Sequence, residues 1–152
     1  RRGGLVARPN HWEGIMEDRL SRAERSAHMR LSRKRDTQPE LLVRRLAHRL
    51  GFRFRLHRRD LPGTPDLVFP RYRKAILIHG CFWHQHDGCR LARQPKSRPE
   101  YWIPKLARNV ERDREARVAL ERKGWRCLVV WECETKDASK LGSILHEFLL
   151  GS

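Results

Sequence analysis

Leu61-Pro-Gly-Thr-Pro-Asp-Leu-Val-Phe-Pro-Arg-Tyr-Arg-Lys-Ala-Ile-Leu-Ile-His79 is the stretch that decides the fold. Its first five residues are turn material, rich in the glycine and proline that bend a chain. Asp66 then opens a short apolar segment, Arg71-Tyr-Arg-Lys74 reverses direction, and Ala75-Ile-Leu-Ile78 is an apolar run short enough for a buried strand. The two segments read as a hairpin or near-hairpin. That pairing brings Asp66 beside the end of the second strand.

Upstream, Thr37-Gln-Pro-Glu40 has the signature of a helix start: Thr37 as cap, Pro39 in the first turn, and Glu40 placed to return a hydrogen bond to the cap. Leu42, Leu46 and Leu50, widened by Val43 and Ala47, form an apolar stripe of helical spacing that stops at Gly51. Residues 52–56 alternate apolar and basic like a strand. Downstream, residues 79–100 lack periodicity. The spacing of Ile103, Leu106, Val110, Arg114 and Val118 predicts a long helix over 101–123, ended by Gly124. Residues 125–131 read as another apolar strand and 141–150 as a final amphipathic helix. This order predicts an α/β sandwich with a mixed sheet flanked by helices. Residues 1–35 hold ten Lys/Arg against four acids and read as a basic arm, partly disordered without a partner, whose segment 16–35 can become helical on binding. Residues 36–152 read as one domain.

The 34 Lys+Arg against 18 Asp+Glu give a formal charge of +16, a field that attracts a polyanion and makes nucleic acid the first partner to expect. No apolar run reaches the length of a membrane span and no signal segment is visible, so the expectation is a cytoplasmic protein without membrane association. In that compartment the four cysteines stay reduced, which favours metal binding or inert burial over disulfides.

The densest chemical signal is His79-Gly-Cys81-Phe-Trp-His84-Gln-His86-Asp-Gly-Cys89, followed much later by Cys133 at the end of an apolar strand. Structural zinc takes four soft or borderline ligands in a tetrahedron, and Cys81, His86, Cys89 and Cys133 meet that count, although C-x4-H-x2-C is not a common finger spacing. The plainer alternative, cysteines as buried hydrophobes, fits Cys127 within Trp-Arg-Cys-Leu-Val-Val-Trp131. His79 and His84 then remain free at a strand end near Asp66. An aspartate after proline is ordinarily a turn residue. Beside such a strand end it also offers the hard oxygen that Mg²⁺ selects, and phosphodiester cleavage is a reaction such ions assist.

Leu61-Pro-Gly-Thr-Pro-Asp66, His79-Gly-Cys-Phe-Trp-His84, Asn109-Val-Glu-Arg-Asp113 and Gly124-Trp-Arg with Val130-Trp-Glu-Cys133 resemble, in order, the very short patch repair (Vsr) endonucleases, over a stretch from about Ser26 through Cys133. The resemblance implies a fold similar to type II restriction endonucleases with a structural zinc added. It implies a magnesium-dependent nick 5′ of the thymine in a T:G mismatch, the lesion left by deamination of 5-methylcytosine. By the same resemblance two magnesium ions take part in catalysis, Asp66 is the aspartate that bridges them, and the carbonyl of Ile78 is the second protein ligand. His84 activates water, Asp113 orients its ring, and His79 and Glu40 hold metal-bound waters or the scissile phosphate. Phe82, Trp83 and Trp102 resemble an aromatic wedge inserted into the base stack, whereas Trp125 and Trp131 read as core. The implied setting is a monomer on mismatched duplex DNA at the bacterial nucleoid, with other mismatch-repair proteins as further partners. Ile78 stands where many members carry a hydroxyl residue, and Gln85 with Asp87-Gly88 replaces a richer histidine run.

Two other functions stay open on sequence. A type II-like restriction endonuclease would carry an acid-x-Lys tail on the second strand, where this chain reads Leu77-Ile-His79. A non-catalytic zinc module would need only the basic arm and the cysteines, leaving Asp66, Glu40, His84 and Asp113 with no shared purpose.

Overall fold

The computed structural model describes residues 35–151, and the arm reading of the preceding residues, like the helix over 16–35, lies outside them. Four strands form one sheet in the order β1 (Arg55–Leu56), β2 (Leu67–Phe69), β3 (Lys74–His79), β4 (Arg126–Trp131). β1–β2 and β2–β3 are antiparallel, and β3–β4 is parallel. The parallel pair needs a long crossover, which is made by the cysteine-bearing loop and α2 (Pro99–Arg122). Helices α1 (Gln38–Arg49) and α3 (Ala138–Leu150) complete a mixed-sheet α/β architecture.

Alternation along the strands sorts their side chains between two layers. Leu67, Phe69, Ile76 and Val130 join Val43 and Ala47 of α1 and Leu141, Leu145 and Leu149 of α3 on one face. Val68, Ala75 and Leu77 join Leu120 of α2 and Trp125 on the other. β3 is buried along almost its whole length, as expected of a strand covered on both faces. Even Lys74 is buried there: its ammonium donates to the carbonyls of Leu149 (3.1 Å) and Gly151 (2.5 Å) and so satisfies the otherwise open end of α3.

Three details depart from the sequence expectations. In α1, Val43 and Ala47 are fully buried while Leu42, Leu46 and Leu50 are only half-buried, so the stripe centres one residue later than the leucines suggest. In α2 the buried residues are Trp102, Leu106 and Leu120, whereas Ile103 and Val110 are exposed. The inward face of α2 also carries Asn109 and Asp113, which the apolar count passed over because they are polar. The strand expected over 52–56 shrinks to two residues. Phe52 and Phe54 do turn their rings onto Phe69, at 6.3 and 5.9 Å, but of residues 52–56 only Arg55 and Leu56 pair with β2.

The turn before β2 is tightly constrained. Gly63 has φ +72, and a Cβ there would lie 2.7 Å from the Cβ of Ala116 in α2. Glycine is needed for both reasons. This close approach fixes the turn against the helix and with it the start of β2.

Candidate active site and metal centre

Because β2 and β3 are antiparallel, the beginning of β2 lies beside the end of β3. Asp66 Oδ2 accepts a 2.7 Å hydrogen bond from the backbone N–H of Ile78, as the hairpin reading expects. Burial pushes the Asp66 carboxyl up to about 7; the Ile78 N–H opposes the shift and the nearby Glu40 adds to it. Glu40 comes from the first turn of α1 and is buried. Thr37 Oγ1 accepts from the Glu40 N–H at 3.4 Å, but the Glu40 carboxylate accepts from Asp36 N (3.0 Å) rather than from the cap residue itself. Its other partner, Arg44, draws it across the helix end.

His79 ends β3 and His84 follows in the loop, where the chain turns tightly through His84 N–H to Gly80 O (3.1 Å) and His86 N–H to Cys81 O (2.9 Å). The two imidazoles stack with centroids 4.0 Å apart and planes 7° from parallel. Asp113 of α2 faces both: its Oδ2 is 2.6 Å from His84 Nδ1 and its Oδ1 is 4.0 Å from His79 Nε2. A carboxylate only accepts, so His84 Nδ1 carries the proton in this contact and Nε2 is the ring nitrogen turned away from Asp113. Burial holds His79 down at about 4, reinforced by the neighbouring His84, so near neutral pH its ring is uncharged. His79, His84 and Asp113 line an open cleft of about 570 Å³ between α2 and β4, together with Arg114, Arg117 and Trp131.

Cys81, His86, Cys89 and Cys133 meet behind these histidines, with one ligand atom from each lying within 4.8 Å of all the others. His86 Nδ1 is 3.4 Å from Cys133 Sγ and 3.7 Å from Cys81 Sγ. Zinc bonds of about 2.3 Å to sulfur and about 2.0 Å to nitrogen place tetrahedral neighbours roughly 3.5–3.8 Å apart, so three thiols and an imidazole at these distances fit such an ion. Burial pushes the Cys81 and Cys133 thiols up, so a cation is what would favour their thiolate forms. Cys127 stays outside the cluster, packed in the layer beneath α2 as its apolar neighbours suggest.

The aromatic residues sit differently from their sequence reading. Phe82 and Trp102 are 7% and 2% exposed; only Trp83 is partly open. Phe82 packs edge-on against Trp83 (5.1 Å) and Trp102 (5.4 Å), because the start of α2 folds over the loop and Asn109 Nδ2 donates to Trp83 O at 3.0 Å. Trp131, read as core, is half-buried and lies flat on His86. Sequence reasoning also missed Arg44 and His57. Arg44 Nη2 is 3.1 Å from Glu40 Oε2, and the His57 ring lies between the Glu40 and Asp66 carboxylates. The i, i+4 spacing of Glu40 and Arg44 was a usable signal.

The family model for the DNA mismatch endonuclease Vsr matches residues 17–90. A type II nicking enzyme, V.XorIIP, of Xanthomonas oryzae pv. oryzae is 51% identical over 134 residues, covering 88% of this chain and 98% of the relative. The chain belongs to the Vsr family. The DNA mismatch endonuclease Vsr of Escherichia coli K12 is 44% identical over 126 residues, 83% of this chain and 80% of the relative. The type II nicking enzyme V.NmeAIP of Neisseria meningitidis is 38% identical over 122 residues, 80% of this chain and 86% of the relative. As a Vsr-family member the chain is a DNA endonuclease, a hydrolase that takes DNA as substrate, and such nucleases work with a divalent metal. Among the described residues no helix is long and apolar enough to cross a membrane.

Proposed function

We propose that this chain nicks one strand of duplex DNA on the 5′ side of the thymine in a T:G mismatch, with magnesium at Asp66 and zinc at Cys81, His86, Cys89 and Cys133, in the repair of deaminated 5-methylcytosine. The observation that carries the reading is the His84–Asp113 contact of 2.6 Å, set against the stacked His79 in one cleft. His84, with its Nδ1–H committed to Asp113, presents the Nε2 lone pair and takes the proton from the attacking water. Asp113 holds the tautomer and balances the imidazolium that forms. His79, uncharged, donates a hydrogen bond to the scissile phosphate, and Glu40 orients water from the α1 side.

Asp66 fits a hard cation. It is a partly buried carboxylate next to a second one, and its carboxyl is held near 7, so a divalent ion would stabilise its ionised form. The carbonyl of Ile78, on the residue whose N–H already binds Asp66, is the second ligand in this reading. Bound magnesium would supply charge stabilisation at the scissile phosphate and the leaving oxygen. His79, His84 and Asp113 also lie close enough together to grip a metal, but two nitrogens and one oxygen are a poor set for magnesium, which favours their use in proton transfer.

Selectivity is assigned to Trp83, backed by Phe82 and Trp102, entering a step that faulty pairing has already weakened. The layered fold supports a likeness to type II restriction endonucleases. One set of catalytic residues per chain suits a monomer that cuts one strand, and the basic residues 1–35 serve as an arm along the phosphates, with repair proteins of the nucleoid taking over the nick. The test is an end-labelled T:G duplex incubated with magnesium. Product ending 5′ of the mismatched thymine supports the reading, and cleavage that persists in chelator contradicts it.

A further inference from the structure

We propose that Arg44 and His57 form a directed donor relay that positions the Glu40 and Asp66 carboxylates for the catalytic cation. This rests on the magnesium site proposed above at Asp66. Arg44 reaches three acceptors: Nη1 lies 2.7 Å from Asp36 Oδ1, and Nη2 lies 3.1 Å from Glu40 Oε2 and 3.2 Å from His57 Nε2. A guanidinium only donates, so His57 Nε2 must accept and the ring proton resides on Nδ1. That Nδ1–H faces Asp66 Oδ1 across 3.8 Å, an electrostatic contact longer than a hydrogen bond. Polarity therefore runs one way, from the guanidinium through the imidazole to Asp66, while Nε2 also faces Glu40 Oε2 at 3.6 Å.

Two features indicate that this arrangement is enforced. His57 has φ +46, in the left-handed region that suits few side chains, and its N–H donates to the carbonyl of Asp66 at 3.3 Å. The backbone strain thus fixes the ring between the two acids, and strain of this kind is tolerated where the surroundings require one geometry. Arg44 Nε is buried without a hydrogen-bond partner, a cost that a helix-surface arginine avoids by swinging outward. Asp36, Glu40 and His57 are close enough to form a cation cage, but the guanidinium already supplies the positive charge among them. Glu40 is thereby held by Arg44 and the Asp36 N–H, and Asp66, with Oδ2 on the Ile78 N–H and Oδ1 facing His57, has its carboxylate plane set from both sides.

The test uses the full chain and manganese as probe, with binding followed by the electron-spin signal of free Mn²⁺ in the presence of uncut T:G duplex bearing a non-hydrolysable linkage. His57→Ala should weaken Mn²⁺ binding about 10–100-fold, as expected when a group that orients a metal ligand is lost. The magnesium concentration for half-maximal cleavage should move in parallel, with kcat at saturating magnesium and KM for DNA changed far less. His57→Gln keeps an acceptor for Arg44 and a donor for Asp66 and should restore most of the affinity, whereas Arg44→Met should repeat the His57→Ala defect. Wild-type Mn²⁺ affinity in His57→Ala, or a Gln variant as impaired as Ala, overturns the relay. Loss of binding in Asp66→Ala with none in His57→Ala overturns the relay alone. An Asp66→Ala variant that binds manganese as tightly as the parent overturns the metal site, and the relay with it.

Discussion

Trp131 lies flat on His86, ring centroids 4.2 Å apart and planes 9° from parallel, while its ring meets His79 in an edge contact at 5.3 Å. His79 in turn stacks on His84, which Asp113 holds. A continuous line of rings therefore runs from the cysteine cluster to the cleft. These contacts link the cysteine cluster to both histidines of the cleft.

Cys133→Ser should consequently lose zinc, from about one equivalent in the parent, and should lower cleavage along with it, because a tetrahedral site does not survive loss of a thiolate. Cys127→Ser, outside the cluster, should keep its metal. Zinc analysis of the two purified variants checks this. Equal zinc in both would move the fourth ligand away from Cys133.

His84→Ala should slow single-turnover cleavage by about 10²–10⁴, the range of a lost general base, with DNA affinity little changed. Asp113→Asn should fall in the same direction by less, since it disturbs the tautomer without removing the ring. Normal rates in both variants would dismiss this pair as the proton-transfer unit.

Leu106→Ala should cost roughly 2–5 kcal/mol in urea unfolding of the zinc-loaded protein, because Leu106 is 1% exposed. Ile103→Ala, 51% exposed, should stay within about 0.5 kcal/mol. The reverse order would mean that α2 is turned about its axis from the face seen here.

That contrast shows where sequence reading stops. The turn at Gly63, the β2–β3 hairpin and the meeting of Asp66 with Ile78 were legible, because local turn chemistry and short apolar runs determine them. The cysteine and histidine cluster was legible by ligand count. The inward face of α2 was not: apolar periodicity favoured Ile103 and Val110, while the true face carries Asn109 and Asp113, whose polarity serves the loop and the histidines. His57 was missed because its significance lies in a contact across 13 residues and nothing in Leu56-His-Arg-Arg-Asp60 distinguishes one basic residue from its neighbours, whereas Arg44 was legible in its i, i+4 spacing from Glu40 and was passed over among the other arginines of the helix. Trp131 read as core because its strand is apolar, yet it stands at the strand end where the sheet opens to the cleft.

Trp83→Ala should sharply reduce the preference for T:G over T:A cleavage, while nonspecific duplex affinity, supplied by Lys and Arg contacts to phosphate, stays near the parent value. Trp83 is the appropriate position because it is the partly open member of the cluster; alanine at Phe82 or Trp102 would also cost stability of about 3–5 kcal/mol. Fluorescence of a base analogue beside the mismatch reports unstacking. Full discrimination with full unstacking in Trp83→Ala would assign these rings to packing alone.

Mismatch-directed, magnesium-dependent nicking is tested by the single-turnover cleavage rate on a T:G duplex and its T:A control, in magnesium and in chelator. One nick is expected, in the thymine strand of the T:G duplex, only with magnesium, with the T:A duplex far slower. Equal rates on the two duplexes, or cleavage of both strands, would contradict it.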